Sequence, residues 1–166
     1  MKSYKYSGEE GIFEDFEGDI EGKPYFRKYT DGGKIELHIV RLLKRNPHPN
    51  IVTIYDIGLN YLDMELLKTR LSIRDIRAQI DALKRAKDFM HSLGIVYLDW
   101  KLDNLGLNNQ GVVKVFDFDM SSMYIKNNFT KTPEMKCFSW EKAEAVGLRE
   151  PVEIDNFTFH KAFEDI

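Results

Sequence analysis

The chain has 166 residues, 43% of them apolar and 13% aromatic, which is enough to bury a core and excludes a disordered chain. Its net charge is −3 with acids and bases interspersed, so no basic stripe points to nucleic acid and no basic amphipathic helix to a membrane surface. Cys137 is the single cysteine, no His/Cys cluster has zinc spacing, no apolar run reaches membrane-spanning length, and "MKSYKYSGEEG" lacks a signal-peptide stretch, so the expectation is a soluble cytoplasmic protein.

In chain order, residues 1–30 read as β. "YKYSGEEGIFEDFEGD" is punctuated by glycine, and "KPYFRKYT" mixes aromatic and charged residues as a strand does. Residues 33–45, "GKIELHIVRLLKR", read as a helix with Ile35, Ile39, Leu42 and Leu43 on one face, stopped by "NPHPN". "IVTIYDIG" and "LNYLDMELL" are β-rich with a glycine turn between them. One helix is expected over roughly residues 72–93, with Ile73, Ile76, Ile80, Leu83, Met90 and Leu93 as its apolar stripe and Gly94 as its stop. "IVYL" and "VVKVFDF" are short strands, and residues 119–166 are irregular and then helical. The pattern is α+β: a β-rich amino half with one helix, then a helical half with a short β insertion.

Around the second of these short strands lie two acidic motifs, "YLDWKLDN" at 97–104 and "VFDFD" at 115–119. An acidic loop after one strand and an aspartate after the next can converge on one cation. In metal-assisted phosphoryl transfer, a carboxylate and an amide oxygen hold Mg²⁺ while another carboxylate orients the attacking hydroxyl. Taken alone, Asp-x-Lys-x-x-Asn reads equally well as an Asp/Asn-rich turn. The Asp-Phe-Asp thirteen residues after Asn104 favours the phosphoryl-transfer reading.

The whole run "HSLGIVYLDWKLDNLGLNNQGVVKVFDFD" resembles the eukaryotic-type protein kinases of the serine/threonine kind: their catalytic loop, β insertion and metal-binding Asp-Phe-Gly motif, in that order. The resemblance implies ATP and Mg²⁺ as cofactors. It implies Asp99 as the catalytic base, Lys101 as the cation on the γ-phosphate, and Asn104 and Asp117 as the metal ligands. "YFRK" resembles the third strand of the family, with Lys28 gripping the α/β-phosphates and Glu36 as its partner. "HPNIVTIYDIG" resembles the segment leading into the fourth strand. "YLDMELL" resembles the fifth strand and hinge, with Met64 as gatekeeper and the main chain of Glu65 and Leu67 binding adenine. Gly8 and Gly11 match the second and third glycines of the phosphate-covering loop, Tyr6 replaces the first, and Glu9 and Glu10 at the tip would repel phosphate; an ordinary hairpin accounts for these residues as well. The positions above adenine are Phe26 and Phe13, and the position below is Gly106. Bulk added above and removed below implies an adenine displaced toward Gly106 and stacked on Phe26.

Departures from the family pattern carry expectations of their own. Tyr97 and Leu98 stand where the family has His and Arg, and Leu98 cannot clamp a phosphate on Ser121, Ser122, Thr130 or Thr132. Asp119 replaces the glycine after Asp-Phe. These substitutions are similar to those of kinases of large DNA viruses, which would place the protein in a host-cell cytoplasm. "EPVEIDNFTFHKAF" resembles the buried helix that anchors the catalytic loop, with Asp155 as its acid, and Glu144 or Glu134 stands for the acid closing the activation segment, spacing favouring Glu144. The resemblance therefore implies a single minimal kinase domain over 1–166: a two-lobed fold with a β-rich amino lobe, 1–65, and a truncated helical lobe, 66–166. Some of the rings of Phe157, Phe159 and Phe163 on the last helix are expected to be left exposed and to mark a homodimer or host-protein contact. The implied reaction is transfer of the ATP γ-phosphate to a serine or threonine hydroxyl of a protein substrate. The rival is a pseudokinase acting as a binding module. A small-molecule kinase would share Asp99 and Asn104, but Lys101 argues against it.

Overall fold

The structure is a computed structural model that describes residues 3–8, 11–30, 34–124 and 138–166, with side chains over 16–30, 35–124 and 141–166. Glu9, Glu10, Thr130, Thr132, Glu134, Cys137 and the side chains of Tyr6 and Phe13 lie outside the described residues.

An antiparallel sheet runs β1-β2-β3-β5-β4, built from β1 (Ser3–Gly8), β2 (Gly11–Ile20), β3 (Lys23–Tyr29), β4 (Ile54–Ile57) and β5 (Tyr61–Glu65). The β2–β3 turn uses Glu21 and Gly22, both at positive φ (53° and 78°), the backbone that a two-residue hairpin turn demands. Across β3 and β5, Phe26 faces Met64, Arg27 faces Asp63 and Lys28 faces Leu62. Alternation then puts Phe26 and Lys28 on one face of the sheet and Arg27 on the other. Arg27 makes two 2.7 Å bonds to the buried Asp63 carboxylate, and its guanidinium carbon stands 3.9 Å from the Tyr61 ring centroid.

Helix α1 (Lys34–Arg45) lies where the sequence predicts it, but its buried face is rolled by one position. Glu36, Leu37, Ile39, Val40 and Leu43 are buried, whereas Ile35 is 39% exposed. The inward face carries Glu36 because Lys28 on the facing strand supplies an ion partner, a constraint that apolar periodicity does not contain.

The single helix expected over 72–93 is two helices, α2 (Ile73–Arg77) and α3 (Ile80–Ser92). A Ser72–Asp75 capping box starts α2. The break falls at Gln79, which leaves helical geometry at φ −126° and ψ 14°. Its side-chain amide donates to Gly111 O at 2.7 Å and accepts from Val113 N–H at 2.8 Å, so a tertiary contact replaces a turn of helix. Ile73, expected in the stripe, is 52% exposed.

Two small β-pairs follow: β6 (Ile95–Val96) with β9 (Ser122–Met123), and β7 (Leu105–Leu107) with β8 (Val113–Val115). A 3-10 turn, Leu102–Asn104, leads into β7. Main-chain bonds tie this region to the sheet: Val52 N–H to Val115 O at 2.9 Å, Val115 N–H to Asn50 O at 3.0 Å, and a reciprocal Lys68–Leu107 pair at 2.9 Å each. Lys114 of β8 also pairs with Glu65 of β5 at 2.5 Å.

Helices α4 (Phe138–Ala145) and α5 (Pro151–Phe163) close the chain. Pro151 opens α5, where a missing N–H costs nothing. Here the structure corrects the expectation for two of the three rings. Phe159 and Phe163 are only 4% and 6% exposed, and they stack edge-on against Trp100 at 4.9 and 6.4 Å. Phe157 packs against the small cluster of Val96, Leu98, Ala143 and Ile154. Trp100 supplies the cover expected to be missing over Phe159 and Phe163, so those two rings give no ground for a homodimer or host-protein contact, while Phe157 is only partly buried. Among the described residues, no helix is long and apolar enough to cross a membrane.

Replacing Asp63 with alanine strips Arg27 of both bonds beneath a packed sheet. The Asp63→Ala variant should lose about 3 kcal/mol, the low end for breaking a buried pair because Arg27 can still reach water. Urea unfolding monitored by tryptophan fluorescence reads this directly.

Candidate active site

Lys28 stands at the centre of the first of two polar clusters. Its Nζ lies 3.1 Å from Glu36 Oε1 and 3.2 Å from Asp117 Oδ1, and it also bonds Asp119 Oδ1. Strand β3, helix α1 and the loop after β8 each supply one part, so none of these contacts is local in sequence. Asp117 sits at φ +63°, a left-handed backbone that aspartate tolerates, and its carboxylate also accepts the Asp119 N–H at 3.2 Å.

One ammonium thus faces three carboxylates. Burial alone would lower the Lys28 pKa, but the charges of Glu36, Asp117 and Asp119 outweigh it and hold the ammonium above its usual range. Burial pushes Glu36 up to about 8; a hydrogen bond with Asp119 adds to this, and Lys28 opposes it. Asp119 is moved down: burial raises it, but its bond with Glu36 and the charge of Lys28 prevail. The physical picture is one proton held between Glu36 and Asp119, which trims the excess negative charge.

The second cluster is the 97–104 loop. Asn104 is buried, and its side-chain Nδ2 donates to Asp99 Oδ2 at 2.8 Å and to Asp99 O at 2.9 Å. Lys101 Nζ lies 3.3 Å from the same Asp99 Oδ2, with its side chain half exposed. The loop hangs from Asp155 of α5, whose carboxylate is fully buried. It accepts from Tyr97 N–H at 3.0 Å, Leu98 N–H at 2.8 Å and the Trp100 indole at 2.8 Å, and it contacts His91 Nε2 at 2.7 Å. The Tyr97 ring is packed 5.6 Å edge-on from Phe118. Burial raises the Tyr97 phenol well above its usual pKa, so it remains a donor, and it bonds Phe116 O.

The clusters are joined at Phe116. Its N–H donates to Asn104 O at 3.0 Å and its carbonyl accepts from Tyr97. Asp117, the next residue, is therefore fixed relative to Asn104 through one peptide unit. Among the described residues no three His, Cys, Asp or Glu side chains assemble into a metal-binding group. An Asp carboxylate and an Asn amide oxygen are hard oxygen donors, and Mg²⁺ is commonly held by one or two such groups with phosphates and water completing its shell. The donor chemistry fits that ion.

The expected adenine residues are distributed unevenly. Phe26 and Met64 are cross-strand neighbours on the Lys28 face. Glu65 spends its N–H on Thr53 O at 3.0 Å and its carboxylate on Thr53 N–H at 2.7 Å and on Lys114. The room expected beneath adenine at Gly106 is absent. A Cβ placed there would stand 2.5 Å from Leu67 Cβ and 3.3 Å from Lys68 O, because the 67–68 segment pairs with β7 and Leu67 fills the gap. Gly8 and Gly11 face each other as the last pair of β1 and β2. Phe13 is placed only by its strand register opposite Tyr6.

Sequence reasoning did not foresee the ties made by Trp100, His91 and Lys114, nor the seat of Asp119 on Lys28. A tryptophan inside a polar loop was the one local signal for the first. The others are long-range pairs with no local signature.

A mixed α+β chain with an antiparallel amino-terminal sheet followed by helices is consistent with a partial kinase fold. Residues 27–139 match the protein kinase domain family, and the chain belongs to that family. It is 32% identical over 108 residues to CBL-interacting serine/threonine-protein kinase 15 of Arabidopsis thaliana, covering 57% of this chain and 25% of that protein. It is 30% identical over 110 residues to CBL-interacting protein kinase 8 of rice (57% and 24%) and 28% identical over 114 residues to NUAK family SNF1-like kinase 2 of rat (58% and 18%). The chain thus aligns with about a quarter or less of the length of these relatives.

The raised Glu36 pKa has a consequence for stability. Between the ordinary value of 4.5 and about 8, the folded protein holds a proton that the unfolded chain releases. Stability from this group is complete at low pH and is lost as pH rises through that window. In metal-free protein, thermal unfolding between pH 5 and 8 should show a falling Tm, and Glu36→Gln should flatten the fall.

Proposed function

We propose that this chain is an ATP-dependent serine/threonine protein kinase using Mg²⁺. What supports the reading most is connectivity: Lys28 bonds Asp117, and Asp117 is tied through Phe116 to Asn104 and so to Asp99. In this reading the sheet with α1 is the amino lobe, 1–65, and the remainder, 66–166, the helical lobe, with the transferred phosphate between them.

Each residue then has one task. Lys28, held by Glu36, takes the α/β-phosphates, which requires Asp119 to yield its place on the ammonium. Asp117 and the Asn104 amide oxygen would hold Mg²⁺, which when bound neutralises charge on the phosphate oxygens. Asp99 accepts the proton of the acceptor hydroxyl as its oxygen attacks the γ-phosphorus, the bond from that phosphorus to the β–γ bridging oxygen breaks and ADP leaves, and Lys101 offsets charge on the transferred group. Phe26 and Met64 line the adenine slot with Leu67, rather than Gly106, as its floor. The Glu65 N–H is engaged, so adenine is met by the Glu65 carbonyl and the Leu67 main chain. Gly8, Gly11 and Phe13 cover the phosphates and adenine from the β1–β2 hairpin. The mammalian and plant relatives lend the resemblance to viral kinases no support.

A second reading, the pseudokinase, is favoured by one observation. Asp119 occupies the ammonium that nucleotide would need. Turnover separates the two.

With Mg-ATP and a generic protein acceptor, wild type should transfer phosphate and Asp117→Ala should not. Asp99→Asn should keep nucleotide affinity and lose roughly 10²–10⁴ in kcat. Wild type that binds Mg-ATP but never turns over supports the pseudokinase, and normal kcat in Asp99→Asn removes Asp99 from its role.

Activation-segment phosphorylation should also be dispensable. Leu98 is buried among apolar residues, and Ser121 and Ser122 are 5% and 2% exposed, with the Ser121 hydroxyl donating to Tyr97 O at 3.0 Å. Phosphatase treatment should therefore leave the rate within about twofold, whereas a loss of roughly tenfold or more would show that a phosphate clamp exists.

A further inference from the structure

Asp99 is flanked on both sides by residues held on one carboxylate. Upstream, Tyr97 and Leu98 donate their N–H groups to Asp155. Leu98 has φ +72°, and the Asp99 N–H bonds Tyr97 O at 3.0 Å, which together make a three-residue turn of a rare and strained kind. Such a turn persists only where its surroundings hold it. Downstream, the Trp100 indole N–H donates to Asp155 Oδ1 at 2.8 Å. The indole is 4% exposed and wedged between Tyr97 at 4.5 Å and Phe159 at 4.9 Å.

We propose that Trp100 is a positioning residue for phosphotransfer, fixing the chain on the far side of Asp99 so that its carboxylate is aimed from both sides. This role rests on the kinase reading above. A strained turn can relax by rotating the main chain beyond it, at the 99–100 linkage, where the Asn104 side-chain amide holds the Asp99 carbonyl at 2.9 Å and the Trp100 side chain holds the residue that follows. Asp155 blocks the rotation at residues 97 and 98 through main-chain bonds, but residue 100 is reached only through its side chain. The indole is suited to this because it donates without accepting, so it has one way to satisfy the buried oxygen. Its ring also cannot swing without displacing Phe159, which belongs to the same helix as Asp155. Loop, anchor and aromatic wedge thus form one rigid unit with Asp99 in its middle.

The test separates aim from stability. Two replacements are compared with wild type: Trp100→Phe, and benzothienylalanine at position 100, which keeps the bicyclic shape and puts sulfur where the N–H was. At a temperature where circular dichroism shows all three folded, kcat for a protein acceptor should fall roughly tenfold in both, since a small misplacement of a catalytic group has that order of cost. The Kd for Mg-ATP should stay within about twofold of wild type, because no adenine or phosphate contact is touched. A purely structural role predicts lower Tm with unchanged kcat, and that outcome overturns the proposal. If Trp100→Phe does not fold, the isosteric variant alone decides. If wild type itself transfers no phosphate, the kinase reading falls and the positioning role with it; if wild type is active and the isosteric variant matches it, only the positioning role falls.

Discussion

The Asp155 carboxylate is the point on which the candidate site depends. It is removed from water, a cost of several kcal/mol that only a full set of donors offsets. Those donors are two main-chain N–H groups, an indole and an imidazole, drawn from α3 and the 97–104 loop. Satisfying the buried charge therefore forces the loop into one shape. The strained turn at Leu98 is the local expense of that shape, and the bonds to charge, each about 1.5–3 kcal/mol, can bear it.

A second balance sits around Lys28. A lysine paired with one glutamate would be charge-neutral, yet three carboxylates surround this ammonium. The surplus is relieved by a proton between Glu36 and Asp119, which makes the cluster sensitive to pH and to any ligand that brings its own charge. Asp119 is the residue that changes the arithmetic. With glycine there, Lys28 would face two acids and no proton need be shared.

Two exchanges of volume keep the interior packed. Gly106 lacks a side chain, and Leu67 from the neighbouring segment fills the space. Trp100 is larger than a loop residue needs to be, and its bulk covers Phe159 and Phe163 on α5. In both places the missing and the added groups lie far apart in sequence. Close packing conserves volume at a site without regard to which segment provides it.

The sequence by itself determined the β-rich amino half, the position of α1, and the two acidic motifs with the spacing that marks them as one system. These rest on local rules: period, turn chemistry, and short motifs on adjacent strands. Family membership was legible for the same reason. The tertiary structure decided which face of α1 turns inward, where the long helix breaks, and what covers α5. Each was settled by one long-range partner: Lys28 for Glu36, the β7–β8 hairpin for Gln79, and Trp100 for the two phenylalanines. The seat of Asp119 on Lys28 belongs with them, since the two residues stand 91 positions apart and only the fold brings them together. A buried charge or an unfilled volume selects its partner by proximity in the folded chain, and proximity is what a linear pattern does not carry.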